Sequence, residues 1–335
     1  MEKELELFDV TIIGGGPAGL FSAFYSGMRE MKTKIIEHLP FLGGKVAYYY
    51  PDKVIRDIGG IHTVTGAKLT EQLIEQGKTF DPTITLEARV TEMEKLEDGN
   101  FLLTDHNGTQ HYTKTVILAA GFGPLQSVEL DLPDAPQYKN HNLHYHVREM
   151  GTFRDKNVVI SGGGNSAIDW ANELEPIAKS VTLLYRRDQF TGHESNITKM
   201  KNSSVTLLTS CVINQLNGDG HRLSSVTVHN TETGVFHDIE LDDLVVNHGF
   251  IVDLGEIGNW GMEMKDGTIK VDGDMQTSVP GIFAVGDLAN FTTKLPLIAG
   301  GFNEGPIAVN SAKKHIAPTK ELEKLYSTHI DAFKK

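Results

Sequence analysis

Asp9-Val10-Thr11-Ile12-Ile13-Gly14-Gly15-Gly16-Pro17-Ala18-Gly19 is an apolar, β-branched run that breaks into glycine. Such a run favours a buried strand, and Gly14, Gly16 and Gly19 fill the three places of a G-x-G-x-x-G turn. In that turn the first glycine allows the tight bend and the second lets backbone approach a pyrophosphate. The third lets the next helix pack on the strand. That helix, predicted from Pro17 to Glu30 with Ala18 in its first turn, aims its amino terminus at the phosphates. The following strand, Lys34–Glu37, ends in an acid at the spacing expected for a ribose hydroxyl. Strand, glycine turn, helix and Glu37 together define a dinucleotide site, which the glycines alone would not.

About half a chain later the plan recurs in Val158-Val159-Ile160-Ser161-Gly162-Gly163-Gly164-Asn165-Ser166-Ala167. Gly162, Gly164 and Ala167 take the glycine places, Asn165 lies within the turn, and a helix is predicted over Ser166–Leu174. The second strand of this unit, Ser180–Tyr185, leads into Arg186-Arg187 where an acid would otherwise stand. Two guanidiniums can clasp a 2′-phosphate bidentately, which favours NADP over NAD. An acid in one unit and arginines in the other imply different ligands, FAD first and NADPH second.

Between the two glycine turns lie a helical stretch, Gly66–Phe80, and short strands at Arg89–Glu92, Phe101–Thr104 and His111–Tyr112. The Asn107-Gly108 dipeptide marks a hairpin. A buried-type strand, Thr115–Gly121, leads to Pro124, and Asp243–Phe250 repeats its character. The expected fold is therefore α/β, with two Rossmann-like three-layer units, one inserted in the other. Residues 1–122 and 249–335 form the FAD domain and residues 123–248 the NADPH domain. A further helix is expected from about Asn303 to His315, after the segment Val285-Gly286-Asp287.

Composition sets limits on function. The chain has 335 residues, 39% of them hydrophobic, and a formal charge of −13. Nucleic-acid binding needs a basic surface, so it is excluded. No segment approaches the roughly 18 apolar residues of a membrane span. The acidic start, Met1-Glu2-Lys3-Glu4, is unlike a secretory signal, and a cytoplasmic location is expected. His141, His144 and His146 cluster without a cysteine or carboxylate pattern that would complete a zinc site, so no metal is expected. Phe190-Thr191-Gly192-His193 superficially resembles the Phe-x-Gly signature of flavin monooxygenases, but its histidine falls too early.

The paired glycine turns, the Ala120-Gly121 crossing and Gly286-Asp287 resemble the two-dinucleotide flavoproteins that include bacterial thioredoxin reductases. Those enzymes carry Cys-x-x-Cys shortly before the second glycine turn, where this chain has Tyr145-His146-Val147-Arg148. Cys211 is the one cysteine of the chain and falls in an apolar run. A lone thiol cannot cycle as a disulfide, so electrons must leave the flavin directly. The pattern is most similar to the thioredoxin-reductase-like ferredoxin–NADP reductases of bacteria. Leu42-Gly43-Gly44-Lys45, Tyr48-Tyr49-Tyr50-Pro51, Arg56-Asp57-Ile58-Gly59-Gly60, Leu297–Asn310 and Tyr326-Ser327-Thr328 carry this likeness.

The resemblance implies a homodimer. Asp287 would hold the flavin ribityl chain, Gly44 and Lys45 would flank the cofactor, and Val90 would meet the adenine through its backbone. Leu125 would pack near the crossing. Tyr50 would stack on one flavin face with Asp57 near N5. Tyr326, with Ser327 and Thr328, would cover the other face from the partner subunit; His329 takes that place if the register slips. Lys45 departs from the family, which has glutamine there. The implied reaction passes hydride from NADPH to flavin N5 and then single electrons to ferredoxin or flavodoxin. Two rivals stay open, a two-electron NADPH reductase of a small disulfide or quinone, and a flavin redox sensor without turnover.

Overall fold

The computed structural model describes residues 5–121, 123, 126–139, 141–251, 253–319 and 328. The chain forms two compact units, Met1–Leu125 with Val252–Lys335, and Gln126–Ile251.

The discontinuous unit is built on β1 (Leu7–Ile13). β1 leads through the glycine turn into α1 (Pro17–Met28) and then β2 (Thr33–Ile36). β1 pairs in parallel with β2 on one side and with the strand Gln110–Leu118 on the other. The chain thus reverses its direction of travel across the sheet at β1, the switch point where open α/β sheets bind ligands. Thr83–Thr85 extends the sheet beyond β2.

Gln110–Leu118 divides its second edge between two partners. Its first half pairs antiparallel with Phe101–Asp105, and Val116–Leu118 pair in parallel with Ile282–Ala284. Two short strands were expected here. The chain runs through Thr113-Lys114-Thr115 without a break, because Thr113 and Thr115 turn their hydroxyls onto backbone carbonyls and stay buried.

Both faces of this sheet are covered, so its strands are apolar on both sides. Val10, Ile12 and Ile35 pack under α1, α3 (Gly66–Gly77) and the C-terminal helix, with Leu20, Leu69, Leu73 and Ala308 in the same core. Ile13, Ile36, Val116 and Leu118 point the other way, onto Phe101, Leu103, Leu254 and Leu288.

The inserted unit repeats the plan around Asn157–Ser161. Its parallel sheet runs Leu143–His144, Asp243–Val246, Asn157–Ser161, Ser180–Leu184, Thr206–Leu208, with the same reversal at the glycine-turn strand. A three-stranded antiparallel sheet, Cys211–Gly218, Leu223–Asn230 and Phe236–Glu240, follows it. No helix among the described residues is long and apolar enough to cross a membrane.

Candidate functional site

At the end of β1, Gly14 takes a φ of +109°, and a methyl group there would sit 2.4 Å from the Ala119 carbonyl oxygen. A side chain at Gly19 would lie 1.9 Å from the Gly14 carbonyl oxygen, so α1 sits directly on the turn. Gly16 is different. A Cβ there meets nothing nearer than the Gly44 Cα at 3.7 Å, so its face is open. Gly16 is also the N-cap of α1, and no side chain caps it. Four N–H groups of a helix start need acceptors, and the helix dipole makes that end favourable for an anion.

α2 (Gly44–Tyr49) walls the opening. A Cβ on Gly44 would come within 2.8 Å of the Gly16 Cα, so the two backbones touch. The third wall is the Gly286 turn with the first turn of the C-terminal helix, because Cβ atoms on Gly286 and Gly301 would both meet Ala18 Cβ, at 3.1 and 3.0 Å. Uncapped amides, an open glycine face and backbone walls on both sides fit the pyrophosphate of a dinucleotide.

Glu37 follows β2 and is 2% exposed. Its Oε2 accepts from the Gly15 N–H at 2.7 Å, and its Oε1 accepts from the Leu39 N–H at 2.9 Å. Burial would raise its carboxyl. The His38 contact and the two amide hydrogen bonds outweigh that and hold it below the usual carboxylate range. A charged acid is thereby fixed beside the glycine turn. Val90, at the start of Val90–Lys95, is buried.

Asp287 and Lys45 form an ion pair between the Gly286 turn and α2, bringing together residues far apart in sequence. The tyrosine at position 50 caps α2, partly buried against the core. Burial, then the carboxylates of Asp287 and Asp57, push its phenol well above the usual tyrosine range, so it stays protonated. Asp57 itself is exposed.

One expectation is corrected here. The C-terminal helix spans Ile298–Ile316, not Asn303 onward. Gly300 and Gly301 belong to its first turn, where a Cβ on Gly301 would crowd Ala18 and one on Gly300 would crowd the Leu295 carbonyl oxygen. Pro306 is carried inside the helix. The Gly300 and Gly301 amides in this turn donate to the Leu297 carbonyl, at 3.1 and 3.4 Å.

Around Gly286 the structure also assembles Lys294 and Glu304, which sequence reading passed over. Glu304 Oε2 accepts from the Gly286 N–H at 2.7 Å, and Lys294 Nζ donates to the Gly286 carbonyl at 2.7 Å and to Glu304 Oε1 at 2.5 Å. No sequence motif announces a lysine and a glutamate that meet only through a distant turn.

The inserted unit builds a matching opening. Gly164 is the uncapped N-cap of the helix Asn165–Leu174, and a Cβ there would meet only the Thr191 carbonyl oxygen at 3.9 Å. A Cβ on Gly162 would come within 2.9 Å of the Ala167 Cβ, which seats the helix as Gly19 does in the first unit. Arg186 and Arg187 are exposed after Ser180–Leu184, and Ser166 is exposed at the helix start.

Sequence reading missed the loop over this turn. The Tyr185 ring lies where a Gly163 side chain would be, Phe190 stacks on Tyr185, and the Thr191 N–H donates to the Gly163 carbonyl at 2.8 Å. Asn165 Oδ1 accepts from the His193 N–H at 2.9 Å, so its side chain holds this loop. The Phe190–His193 motif is thus a lid on the glycine turn.

Cys211 is buried, and burial pushes its thiol up. Leu125, Tyr326 and Ser327 lie outside the described residues, while Thr328 is exposed.

Two Rossmann units, one inserted in the other and each opening at its switch point, define a protein of two dinucleotide sites. The chain belongs to the pyridine nucleotide-disulphide oxidoreductase family, whose model matches residues 8–312. It is 56% identical to a protein of Bacillus velezensis named ferredoxin–NADP reductase 1, over 98% of both chains. It is 50% identical to a protein of the same name from Listeria monocytogenes, again over 98% of both. Among solved structures it is similar to the thioredoxin reductase of Lactococcus lactis. The TM-score there is 0.82 at 26% identity, over 93% of this chain and 99% of that one.

Proposed function

We propose that this chain is a ferredoxin–NADP reductase that holds FAD in its discontinuous unit and NADPH in its inserted unit. The observation that carries the reading is the pair of uncapped helix starts with open glycine faces, Gly16 beside a buried Glu37 and Gly164 beside exposed Arg186 and Arg187. The names of the relatives and the family support it.

In the FAD unit, the α1 amides and Gly44 receive the pyrophosphate, Glu37 accepts from the adenosine ribose and Val90 offers its backbone to the adenine. Asp287 takes the ribityl chain, Lys45 balances its charge, and Tyr50 packs against the ring with Asp57 at its edge. In the NADPH unit, the amides of Asn165, Ser166 and Ala167 receive the pyrophosphate and the two arginines grip the 2′-phosphate. Bound FAD supplies the step from a two-electron donor to one-electron acceptors, since flavins exchange either. The protein acts in the cytoplasm as a homodimer, with Tyr326, Ser327 and Thr328 of one subunit over the flavin of the other. Its acceptor is ferredoxin or flavodoxin.

The test compares acceptors. The purified holoprotein, given NADPH, should reduce ferredoxin or flavodoxin, read as cytochrome c reduction, far faster than small disulfides or quinones. Preference for a disulfide or a quinone would replace this reading with the two-electron rival. Bound flavin without turnover would replace it with the sensor.

A further inference from the structure

Lys294 and Glu304 form a charge pair with side chains only 13% and 4% exposed. Burying two charges is costly unless both are paired and fully hydrogen-bonded, so such a pair asks for a reason. Here each partner spends a hydrogen bond on the same residue. Glu304 takes the N–H of Gly286 and Lys294 takes its carbonyl. Both polar backbone groups of one glycine are thereby fixed by side chains, at a φ of +70° that suits glycine.

That glycine immediately precedes Asp287. It also touches α1, since a Cβ on Gly286 would meet Ala18 Cβ at 3.1 Å, and the first turn of the C-terminal helix reaches the same atom through Gly301. Glu304 sits in that helix and Lys294 in the loop before it. Lys45 meets Asp287 from α2. The pair therefore sets where the Gly286–Asp287 wall stands against the two helix starts.

We infer that Lys294 and Glu304 are positioning residues for flavin binding, acting through the peptide groups of Gly286 to place Asp287 and the start of the C-terminal helix. This rests on the FAD reading above. Neither side chain needs to touch the cofactor.

The experiment uses the purified holoprotein and three variants, Lys294→Met, Glu304→Met and the two combined. FAD release on dilution, the flavin absorption envelope and thermal unfolding at saturating FAD are measured together. Removing an outer-shell hydrogen-bond partner of a metal ligand typically costs about ten- to a hundredfold in affinity, and an effect of the same order is expected for a residue that positions a flavin ligand. Each single variant should raise the FAD dissociation constant by at least about tenfold, shift the flavin absorption envelope and lower the melting temperature. The double variant buries no unpaired charge and should recover much of the melting temperature while keeping the weak FAD binding. That separation distinguishes positioning from a general loss of stability. Should the singles not fold, the double variant alone decides. Parent-like FAD affinity and absorption in the double variant would overturn the inference. A parent protein that binds no FAD would instead sink the reading on which it rests.

Discussion

Gly16→Ala and Gly19→Ala add the same methyl group within one turn of helix, and the structure predicts opposite outcomes. At Gly19 the methyl would stand 1.9 Å from the Gly14 carbonyl oxygen. Relieving that overlap requires α1 to retreat by about 1 Å or more, because real contacts of this kind stay beyond about 3 Å. α1 cannot retreat freely, since Leu20 and Ala23 are locked in the core with the C-terminal helix and α3. Overpacking of this kind costs about 1–3 kcal/mol or somewhat more. At Gly16 the nearest atom is 3.7 Å away and the backbone is already extended, at φ −78° and ψ −176°. Stability should therefore fall by no more than about 1 kcal/mol, the cost of an alanine N-cap. The methyl would occupy the open face proposed for the pyrophosphate, so FAD retention should drop by at least about tenfold. Urea unfolding of both variants, alongside flavin content after gel filtration, reads the two effects separately. Parent-like FAD retention in Gly16→Ala, or destabilisation equal to that of Gly19→Ala, would refute the assignment of Gly16 to a ligand.

Replacing Arg186 and Arg187 together by alanine should remove most of the preference for NADPH over NADH while leaving bound FAD unchanged, as measured by kcat/KM for each nucleotide. Cys211→Ser should keep NADPH oxidation and ferredoxin reduction and lose nothing on treatment with alkylating reagents, at a cost of about 1 kcal/mol in stability. A third outcome concerns pH. His111 is buried, accepts from Lys34 Nζ at its Nδ1 and faces Asp105 through Nε2. Burial first and then the Lys34 ammonium hold the imidazole below its usual range, against the pull of Asp105. The folded state thus favours the neutral ring, so its contribution is complete above the unfolded histidine value of about 6.5 and declines as pH falls below it. Melting temperature measured from pH 7 down to 5 should fall less steeply in His111→Gln than in the parent; equal slopes would remove His111 from the account.

The parts of the site that sequence made legible are local ones. Gly14, Gly16, Gly19 and Glu37 lie on one strand–helix–strand unit, where spacing alone fixes which residues meet. The place of Arg186 and Arg187 after a second strand is legible for the same reason. What stayed hidden depends on the tertiary fold. Lys45 meets Asp287 and Glu304 meets Gly286 only because α2 and the C-terminal helix converge on the β1 turn. The start of the C-terminal helix is hard to read in sequence because Gly300, Gly301 and Pro306 are all unfavourable inside helices, whereas in the fold Gly301 packs closely on Ala18 and Gly300 on the Leu295 carbonyl. The Phe190–His193 motif looked like chemistry borrowed from another enzyme class, yet its backbone is bonded to Gly163 and Asn165.

The central claim is that flavin is the sole electron store and that no disulfide intervenes. An anaerobic titration of the purified holoprotein with dithionite, followed by addition of ferredoxin, tests it most directly. The account predicts that the flavin absorption bleaches fully after one two-electron equivalent per chain, in Cys211→Ser as in the parent, and that at least two equivalents of oxidised ferredoxin, each taking one electron, then restore it. Uptake of a second two-electron equivalent before bleaching, or a reduced flavin that ferredoxin cannot reoxidise, would contradict it.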